Sequence, residues 1–346
     1  MSSANLSRRS FLRNSTLLAG AAVAAPVITA CGSSGADGTT KVTMQGGWLA
    51  SEGQLGEAIA LAKGWYKDEG IDFSFKPGGP SIDGVGLVAS RQSQIGQISS
   101  SPSLMLAANQ GVPIRAFAVG VQQQPYAYIS KPDKPVREPK DLIGKKVGTQ
   151  ATGQVLLNAL LKVNGIDPSE VKVEIIGAEI TPLTTGQVDV WTGWLTNVAA
   201  MRPLGGKFEK MMLWDAGVKL YGYPYYARKD LLTKDADLLE RFVKATARGW
   251  EYAVDNVPEA AKAVTKLDPS LKAADVQAAA EVLLPYAFNS ETAKNGWGAM
   301  SADVWQQQID LYAGLGQFKG DAPSSDQVID MTILDATAAA RPKIGA

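Results

Sequence analysis

Ala62-Lys-Gly-Trp-Tyr-Lys-Asp-Glu-Gly-Ile71 is the stretch that decides the fold, because it joins an amphipathic helix to a strand. Upstream, Lys41–Gln45 predicts a short strand, and apolar residues recur at helical spacing over about residues 53–69. Gly70 is typical of a helix end, and the alternating residues of Ile71–Phe75 predict a second strand. A strand, a helix and a strand in this order predict a parallel β-α-β unit.

Strands and helices continue to alternate on both sides of this unit. Further strands are predicted over residues 94–98, 112–121, 125–130, 171–176, 188–191, 211–214 and 220–227, and residues 141–148 predict a turn followed by a strand. Pro224 indicates that the last of these is an edge or crossing segment. From Asp235 onward the pattern is helical, with helices over about residues 258–267, 273–284, 301–313 and 326–339. The predicted fold class is α/β, with two α/β halves and a helical tail that returns to the first half.

The first thirty residues have the pattern of an export signal. Arg8 and Arg9 precede a short apolar run in a sequence that resembles a twin-arginine signal, and the run is too short to span a bilayer permanently. Ile28-Thr29-Ala30-Cys31 resembles a bacterial lipobox, which implies cleavage before Cys31 and a lipid anchor on its sulfur. Residues 31–40 would then form a flexible tether, and we expect the protein to be extracytoplasmic and anchored to the membrane. The alternative is an ordinary secretory signal with an incidental cysteine.

Composition excludes several classes of function. The chain contains no histidine and a single cysteine, which removes Ser-His-Asp and Cys-His catalysis, zinc sites built on these residues and disulfides. Lys plus Arg and Asp plus Glu both number 34, and no basic cluster follows the signal, so no nucleic-acid partner is expected. No phosphate-binding or dinucleotide-binding motif occurs, and we expect no cofactor and no metal.

Three polar loops follow predicted strands, at Trp48–Gly53, Ser99–Ser101 and Thr149–Gln154. In open α/β sheets, ligands bind outside the carboxyl ends of the strands, where helix N-termini offer free N–H groups. The alternative for each serine and threonine is that it only caps its helix. The candidate ligand-binding residues from these loops are Trp48, Ser51, Ser99, Ser100, Thr149, Thr152 and Gly153.

Aromatic residues and one acid complete the candidate site. Trp191 follows Asp189 at the end of a short predicted strand, and Tyr126 and Tyr223 lie in extended segments at the expected crossings between the halves. Such rings stack on flat ligands, although packing in the core is the alternative for each. Asp189 could accept a hydrogen bond from the solute or satisfy a helix N-terminus within its own lobe.

Four motifs in order resemble the nitrate/taurine/sulfonate and THI5-like branch of periplasmic binding proteins. They are Ala62–Ile71, Asp141–Gly148, Gly186–Val190 and Asn256–Ala260. The resemblance implies a type II periplasmic-binding-protein fold, in which two α/β lobes are joined by two hinge crossings and close on a ligand in the cleft. Lobe 1 would comprise residues 41–127 and 226–346, and lobe 2 residues 128–225.

The same resemblance implies a monomeric solute receptor, without enzymatic activity, that serves the permease and ATPase of an ABC importer. The expected solute is small and flat or anionic: a thiamine-type pyrimidine, an aromatic carboxylate or a sulfonate. Pyrimidine-binding members carry Trp-x-Pro-Asn after the first strand, whereas this chain has Trp48-Leu49-Ala50-Ser51, which keeps the ring and loses the other two residues. A ligand sensor is one alternative. A THI5-like synthase is another, and the missing histidine and cysteine-rich motif disfavour it.

Overall fold

The computed structural model describes residues 38–79 and 81–345. The predicted export signal and Cys31 lie outside the described residues. Within them, ten strands form two five-stranded sheets. In chain order the strands are β1 (Thr40–Gly46), β2 (Ile71–Lys76), β3 (Ile95–Gln97), β4 (Ile114–Val121), β5 (Tyr126–Ser130), β6 (Lys146–Thr149), β7 (Lys172–Ile175), β8 (Val190–Trp194), β9 (Glu209–Met212) and β10 (Gly222–Arg228).

Helices cover the sheets and connect the parallel strands. In chain order they are α1 (Leu55–Ala62), α2 (Trp65–Asp68), α3 (Gly84–Ala89), α4 (Pro102–Asn109), α5 (Gln154–Val163), α6 (Thr181–Thr184), α7 (Val198–Met201), α8 (Lys229–Lys234), α9 (Ala236–Asp255), α10 (Val257–Val264), α11 (Ala273–Ala287), α12 (Ser290–Asn295), α13 (Ala302–Gly314), α14 (Ser325–Val328) and α15 (Thr332–Ala336).

Both sheets have the same plan. The strand order is β2-β1-β3-β10-β4 in the first and β7-β6-β8-β5-β9 in the second. β1 is parallel to β2 and β3, and β6 is parallel to β7 and β8. β10 and β5 run antiparallel to these strands. β10 is also antiparallel to β4, and β5 to β9, so in each sheet four strands run in one direction and their carboxyl ends lie at one edge.

The decisive β-α-β unit forms as predicted, with one correction to its helix. Residues 53–69 do not form one continuous helix, because Gly64 adopts a left-handed φ of 79° and separates α1 from α2. α1 packs closely on α9, since a Cβ atom added at Gly249 would lie 2.0 Å from the carbonyl oxygen of Gly56. The C-terminal segment also returns to the first sheet, where the Asp330 N–H donates to the Ala116 carbonyl at 2.8 Å.

The chain passes from the first sheet to the second over residues 122–125 and returns over residues 213–221. The two crossings contact each other, because the Gln124 N–H donates to the Leu220 carbonyl at 3.0 Å. The division of the whole chain into lobes of residues 41–127 with 226–346 and 128–225 stays a prediction.

The position of Pro224 corrects another prediction. β10 is an interior strand between β3 and β4, although proline indicated an edge or crossing segment. The sheet accommodates it because β3 pairs only with residues 225–227 of β10, so Pro224 lies beyond the last residue that β3 pairs. Its carbonyl still accepts a hydrogen bond from the Ile98 N–H at 3.1 Å.

None of the helices in residues 38–79 and 81–345 combines the length and the apolar character needed to cross a membrane.

Candidate ligand-binding site

A cavity of about 470 Å³ lies between residues of the two sheets. This volume falls in the range that binds small organic ligands. The cavity is lined by Trp48, Ser51, Glu52, Ser99, Tyr126, Gln150, Thr152, Gly153, Ala178, Trp191, Gly193, Trp194, Thr196, Asn197 and Tyr223.

The topology explains why these residues meet. Most of them lie on loops that follow the carboxyl ends of the parallel strands β1, β3, β6, β7 and β8. Tyr126 begins the antiparallel strand β5 opposite Trp194, the last residue of β8, so it reaches the same edge. Tyr223 lies at the corresponding end of β10, where its N–H donates to the Ser99 carbonyl at 3.2 Å. The cavity is thus at the position that α/β sheets offer to ligands.

Eight of the eleven ligand-binding residues predicted from the sequence line this cavity. They are Trp48, Ser51, Ser99, Tyr126, Thr152, Gly153, Trp191 and Tyr223. Their contact with a solute stays a prediction. Three predicted residues, Ser100, Thr149 and Asp189, do not line it.

Trp48 and Trp191 line the cavity in different ways. The Trp48 side chain is 52% exposed, whereas Trp191 is 1% exposed and packs in the hydrophobic cluster of the second sheet. Gly193 makes room for the buried ring, since a Cβ atom there would lie 2.1 Å from the Trp191 ring. For Trp191 the core-packing alternative is therefore correct for most of the side chain, while about half of the Trp48 surface remains exposed.

An aromatic pair joins the two sheets within the cavity. The rings of Trp194, from the second sheet, and Tyr223, from the first, have centroids 5.5 Å apart at 56°. Tyr223 adopts a φ of 50°, in the left-handed region that residues other than glycine rarely occupy. Its ring packs on Gly53, where a Cβ atom would lie 2.5 Å from the ring. Backbone strain of this kind concentrates at functional sites.

Hydroxyl groups behind the cavity wall form hydrogen bonds with one another. The Tyr126 hydroxyl donates to Thr192 Oγ1 at 2.9 Å, and Thr192 Oγ1 donates to Thr149 Oγ1 at 2.8 Å. Thr149 is fully buried beneath Tyr126, which corrects its predicted place in the cavity. A Cβ atom at Gly153 would lie 2.4 Å from the Tyr126 hydroxyl, so only glycine fits there without a shift.

Two serines of the predicted loops have structural roles. Ser51 caps the 3-10 turn of residues 52–54, with its Oγ accepting from the Gly53 N–H at 3.3 Å, and also lines the cavity. Ser100 does not line the cavity, because it forms an isolated bridge with Gly222 and its hydroxyl is buried. The capping alternative thus holds for Ser51 without removing it from the site.

Asp189 lies at the wrong end of its strand for ligand binding. It precedes β8, whose opposite end lines the cavity, and its carboxylate accepts from the Lys146 N–H at 3.0 Å. The same carboxylate pairs with the Lys134 ammonium at 3.0 Å. Burial alone would raise the pKa of Asp189, but the Lys146 N–H and Lys134 lower it. The prediction failed because the strand runs to Trp194 instead of ending at Trp191.

The main residue that sequence reasoning missed is Glu52. Its side chain is 7% exposed, lines the cavity and accepts from the Tyr223 hydroxyl at 3.4 Å. Burial raises the pKa of the Glu52 carboxyl, against hydrogen bonds from Thr196, Tyr223 and Ser51. Its place in a predicted polar loop was the available signal, but 34 acidic residues gave no reason to select this one.

A second buried glutamate lies close by in the chain and outside the cavity lining. The Glu57 carboxylate accepts from the Tyr225 hydroxyl at 2.7 Å and from the Gln97 amide at 3.0 Å. Burial raises the pKa of Glu57 to about 7. Glu57 therefore belongs to a polar network inside the first sheet and its helices.

In the described part of the chain, no group of three or more His, Cys, Asp or Glu residues could hold a metal ion.

The fold occurs in solved structures of periplasmic binding proteins. The periplasmic aliphatic sulphonate binding protein SsuA of Escherichia coli matches with a TM-score of 0.64 at 16% identity, over 84% of this chain and 92% of that one. This likeness confirms the predicted fold class: α/β, with a periplasmic-binding-protein architecture. At such low identity it shows the fold alone.

The family follows from the sequence. A family model described as NMT1/THI5 like matches residues 54–261, so the chain belongs to the NMT1/THI5-like family. This confirms the resemblance drawn from the four motifs. Riboflavin-binding protein RibY of Chloroflexus aurantiacus is 25% identical over 276 residues, covering 75% of this chain and 76% of that protein. A 4-amino-5-hydroxymethyl-2-methylpyrimidine phosphate synthase of Legionella pneumophila is 22% identical over 244 residues, covering 67% and 75%.

Proposed function

We propose that this protein is the solute receptor of an ABC importer and that it captures a small, flat aromatic molecule in the cavity between its two sheets. The observation that carries the proposal is the cavity itself. It has the volume of an organic ligand site, it lies at the carboxyl ends of the parallel strands, and Trp48, Trp194 and Tyr223 line it.

Stacking would supply much of the affinity. Trp48 is half exposed at the cavity and Trp194 is partly buried beside Tyr223, so ring faces are available from both sheets. Aromatic pairs contribute about 0.5–1.5 kcal/mol each beyond the area that they bury. The relatives agree with a flat solute, since one is named for riboflavin and another for a pyrimidine phosphate.

The receptor would be held at the membrane by a lipid on Cys31 and would deliver its solute to a permease driven by an ATPase. Closure of the cleft on the ligand would present the loaded form to the permease, as hinge-bending receptors do. The residues that join the sheets, 122–125 and 213–221, are the segments that would bend.

A catalytic role receives less support. The synthase relatives resemble this chain in sequence, but the chain contains no histidine, and none of the described residues that line the cavity is a cysteine. The lining residues include no pair of ionisable groups arranged as acid and base, since Glu52 is the one carboxylate among them. We therefore propose binding without turnover.

The experiment is thermal unfolding of the purified full chain, freed of carried-over solute, against riboflavin, pyrimidines, aromatic carboxylates and aliphatic sulfonates. A ligand at a hundredfold excess over its Kd adds about 2.7 kcal/mol to the stability of the folded state. We expect a flat aromatic compound to raise the unfolding temperature by about 5–10 °C. A shift produced by aliphatic sulfonates alone would contradict the proposal of an aromatic solute but would support the proposed receptor function. No shift with any compound would contradict the proposal as a whole.

A further inference from the structure

Glu52 is the one carboxylic acid among the described residues that line the cavity, and none of these lining residues is a lysine or an arginine. A receptor built for an anion is expected to provide a cation or several free N–H groups. The charge of this cavity therefore points away from anionic solutes.

Glu52 is also buried without a cation. It is 7% exposed, and its side-chain hydrogen-bond donors are the neutral hydroxyls of Thr196, Tyr223 and Ser51, with the Tyr223 hydroxyl at 3.4 Å. None of the ion pairs among the described residues includes it. A buried carboxylate without a cation or strong donors destabilises the protein, because its hydration has been lost.

The geometry points to Glu52 as the residue that selects the solute. We propose that its carboxylate receives an N–H group or a cationic nitrogen at the edge of a flat ring, so that the site takes nitrogen heterocycles with a donor edge and rejects sulfonates and carboxylates. This inference rests on the proposed function and names the solute class of the same cavity.

The surroundings of Glu52 fit an edge-on contact of this kind. Tyr223 contacts the carboxylate through its hydroxyl, and the Tyr223 ring lies against Trp194, so a stacking surface and an acceptor are adjacent. A donor edge would add a cationic or N–H partner to a carboxyl group whose side-chain partners are neutral hydroxyls. An anionic group would instead place a second negative charge beside Glu52 in a cavity without a compensating cation.

The test compares two probes with the same ring and opposite edges. Benzamidine presents a cationic donor edge, and benzoate presents an anionic acceptor edge. 4-Amino-5-hydroxymethyl-2-methylpyrimidine and riboflavin serve as larger donor-edge probes, and ethanesulfonate as a small anion. Affinities are measured by calorimetry on the full chain and on the variants Glu52→Gln and Glu57→Gln.

We expect at least one donor-edge probe to bind, with benzamidine at least tenfold tighter than benzoate. Glu52→Gln should reduce the affinity for the donor-edge probes at least tenfold and abolish the preference over benzoate. Glu57→Gln is the matched control, because Glu57 is a buried glutamate of the same lobe region that does not line the cavity, and it should keep the preference.

Thermal unfolding of the ligand-free variants separates recognition from folding. Because Glu52 is buried without a cation, Glu52→Gln should unfold at the same temperature as the parent or higher at pH 8. A drop of several degrees would make Glu52 a structural residue and overturn the inference. Binding of benzoate or ethanesulfonate as tightly as the donor-edge probes would also overturn the inference. It would still support the proposed function as a solute receptor. A chain that binds none of the probes contradicts both the inference and the proposed function.

Discussion

Trp48 and Trp191 line the same cavity from different sheets, and they differ almost completely in exposure, at 52% and 1%. Trp48 lies in the loop after β1 and leaves about half of its surface exposed. Trp191 lies within β8 and packs against the core of the second sheet, over the space left by Gly193. The same residue type therefore has two environments at one site: the Trp48 ring is half exposed at the cavity, and the Trp191 ring packs in the core behind it.

The largest expected effect is on the buried ring. Trp191→Ala should lower the free energy of unfolding by about 3–5 kcal/mol, because it leaves a large cavity in the core of the second sheet. Urea unfolding followed by fluorescence or circular dichroism measures the change. Trp48→Ala is the control and should change stability by less than about 0.5 kcal/mol. Equal losses for the two variants would remove the distinction between them.

The packing of the wall can be tested from the opposite direction. Gly193→Ala should cost about 1–3 kcal/mol, because the new Cβ atom would lie 2.1 Å from the Trp191 ring and force it to move. Gly79→Ala is a matched control near the exposed loop, since the nearest atom to its Cβ lies 3.9 Å away. The comparison fails if Gly193→Ala unfolds at the same urea concentration as Gly79→Ala.

The exposed ring should dominate binding. Trp48→Ala should weaken the affinity for whichever aromatic probe binds by about tenfold, or about 1.4 kcal/mol, because a stacking face is lost. Calorimetric titration of the folded variant gives the affinity. Ile175→Ala removes another exposed apolar side chain, outside the cavity lining, and should leave the affinity unchanged. An unchanged affinity in Trp48→Ala would show that this ring does not contact the ligand.

The smallest expected effect concerns the far end of β8. Asp189→Asn should cost about 0.2–1 kcal/mol at pH 7, since it removes an ion pair whose lysine is largely exposed. The pKa of Asp189 is lowered in the folded protein, so its contribution is present above the unfolded value near 3.9 and is lost as pH falls through the folded value. Urea unfolding at pH 7 and pH 3 should show the difference shrinking at the lower pH. A loss of ligand affinity in this variant would contradict the assignment of Asp189 to structure alone.

The sequence predicted the parts of the site that depend on strand polarity. Once β1, β3 and β6 were recognised, the loops after β1 and β3 had to lie at one edge of the first sheet and the loop after β6 at the carboxyl edge of the second. Trp48, Ser99 and Thr152 lie on these loops and line the cavity. The error at Asp189 came from a wrong strand limit. The strand was predicted to end at Trp191, which placed Asp189 near its carboxyl end, whereas β8 runs from Val190 to Trp194 and Asp189 precedes its amino end. Strand limits were the weak step, because Trp191, Gly193 and Trp194 do not alternate in the way that marks a half-buried strand.

Burial was less accessible to prediction. Thr149 and Thr152 belong to the same polar loop, yet Thr149 is hidden beneath Tyr126 and Thr152 lines the cavity. Glu52 is one acid among 34 until the fold surrounds it with Tyr223 and Thr196. The exposure of a side chain depends on residues that are distant in the chain, so no local sequence pattern predicts it.

The sequence by itself determined the α/β class, the family and the edge of the sheets where the cavity forms, because hydrophobic periodicity and chain direction are local properties. Only the tertiary structure decided which tryptophan is exposed, that Pro224 lies in an interior strand, and that Glu52 is the one acid among the described residues that line the cavity. These properties depend on contacts between segments as far apart as Glu52 and Tyr223, which meet only when the second crossing returns the chain to the first sheet.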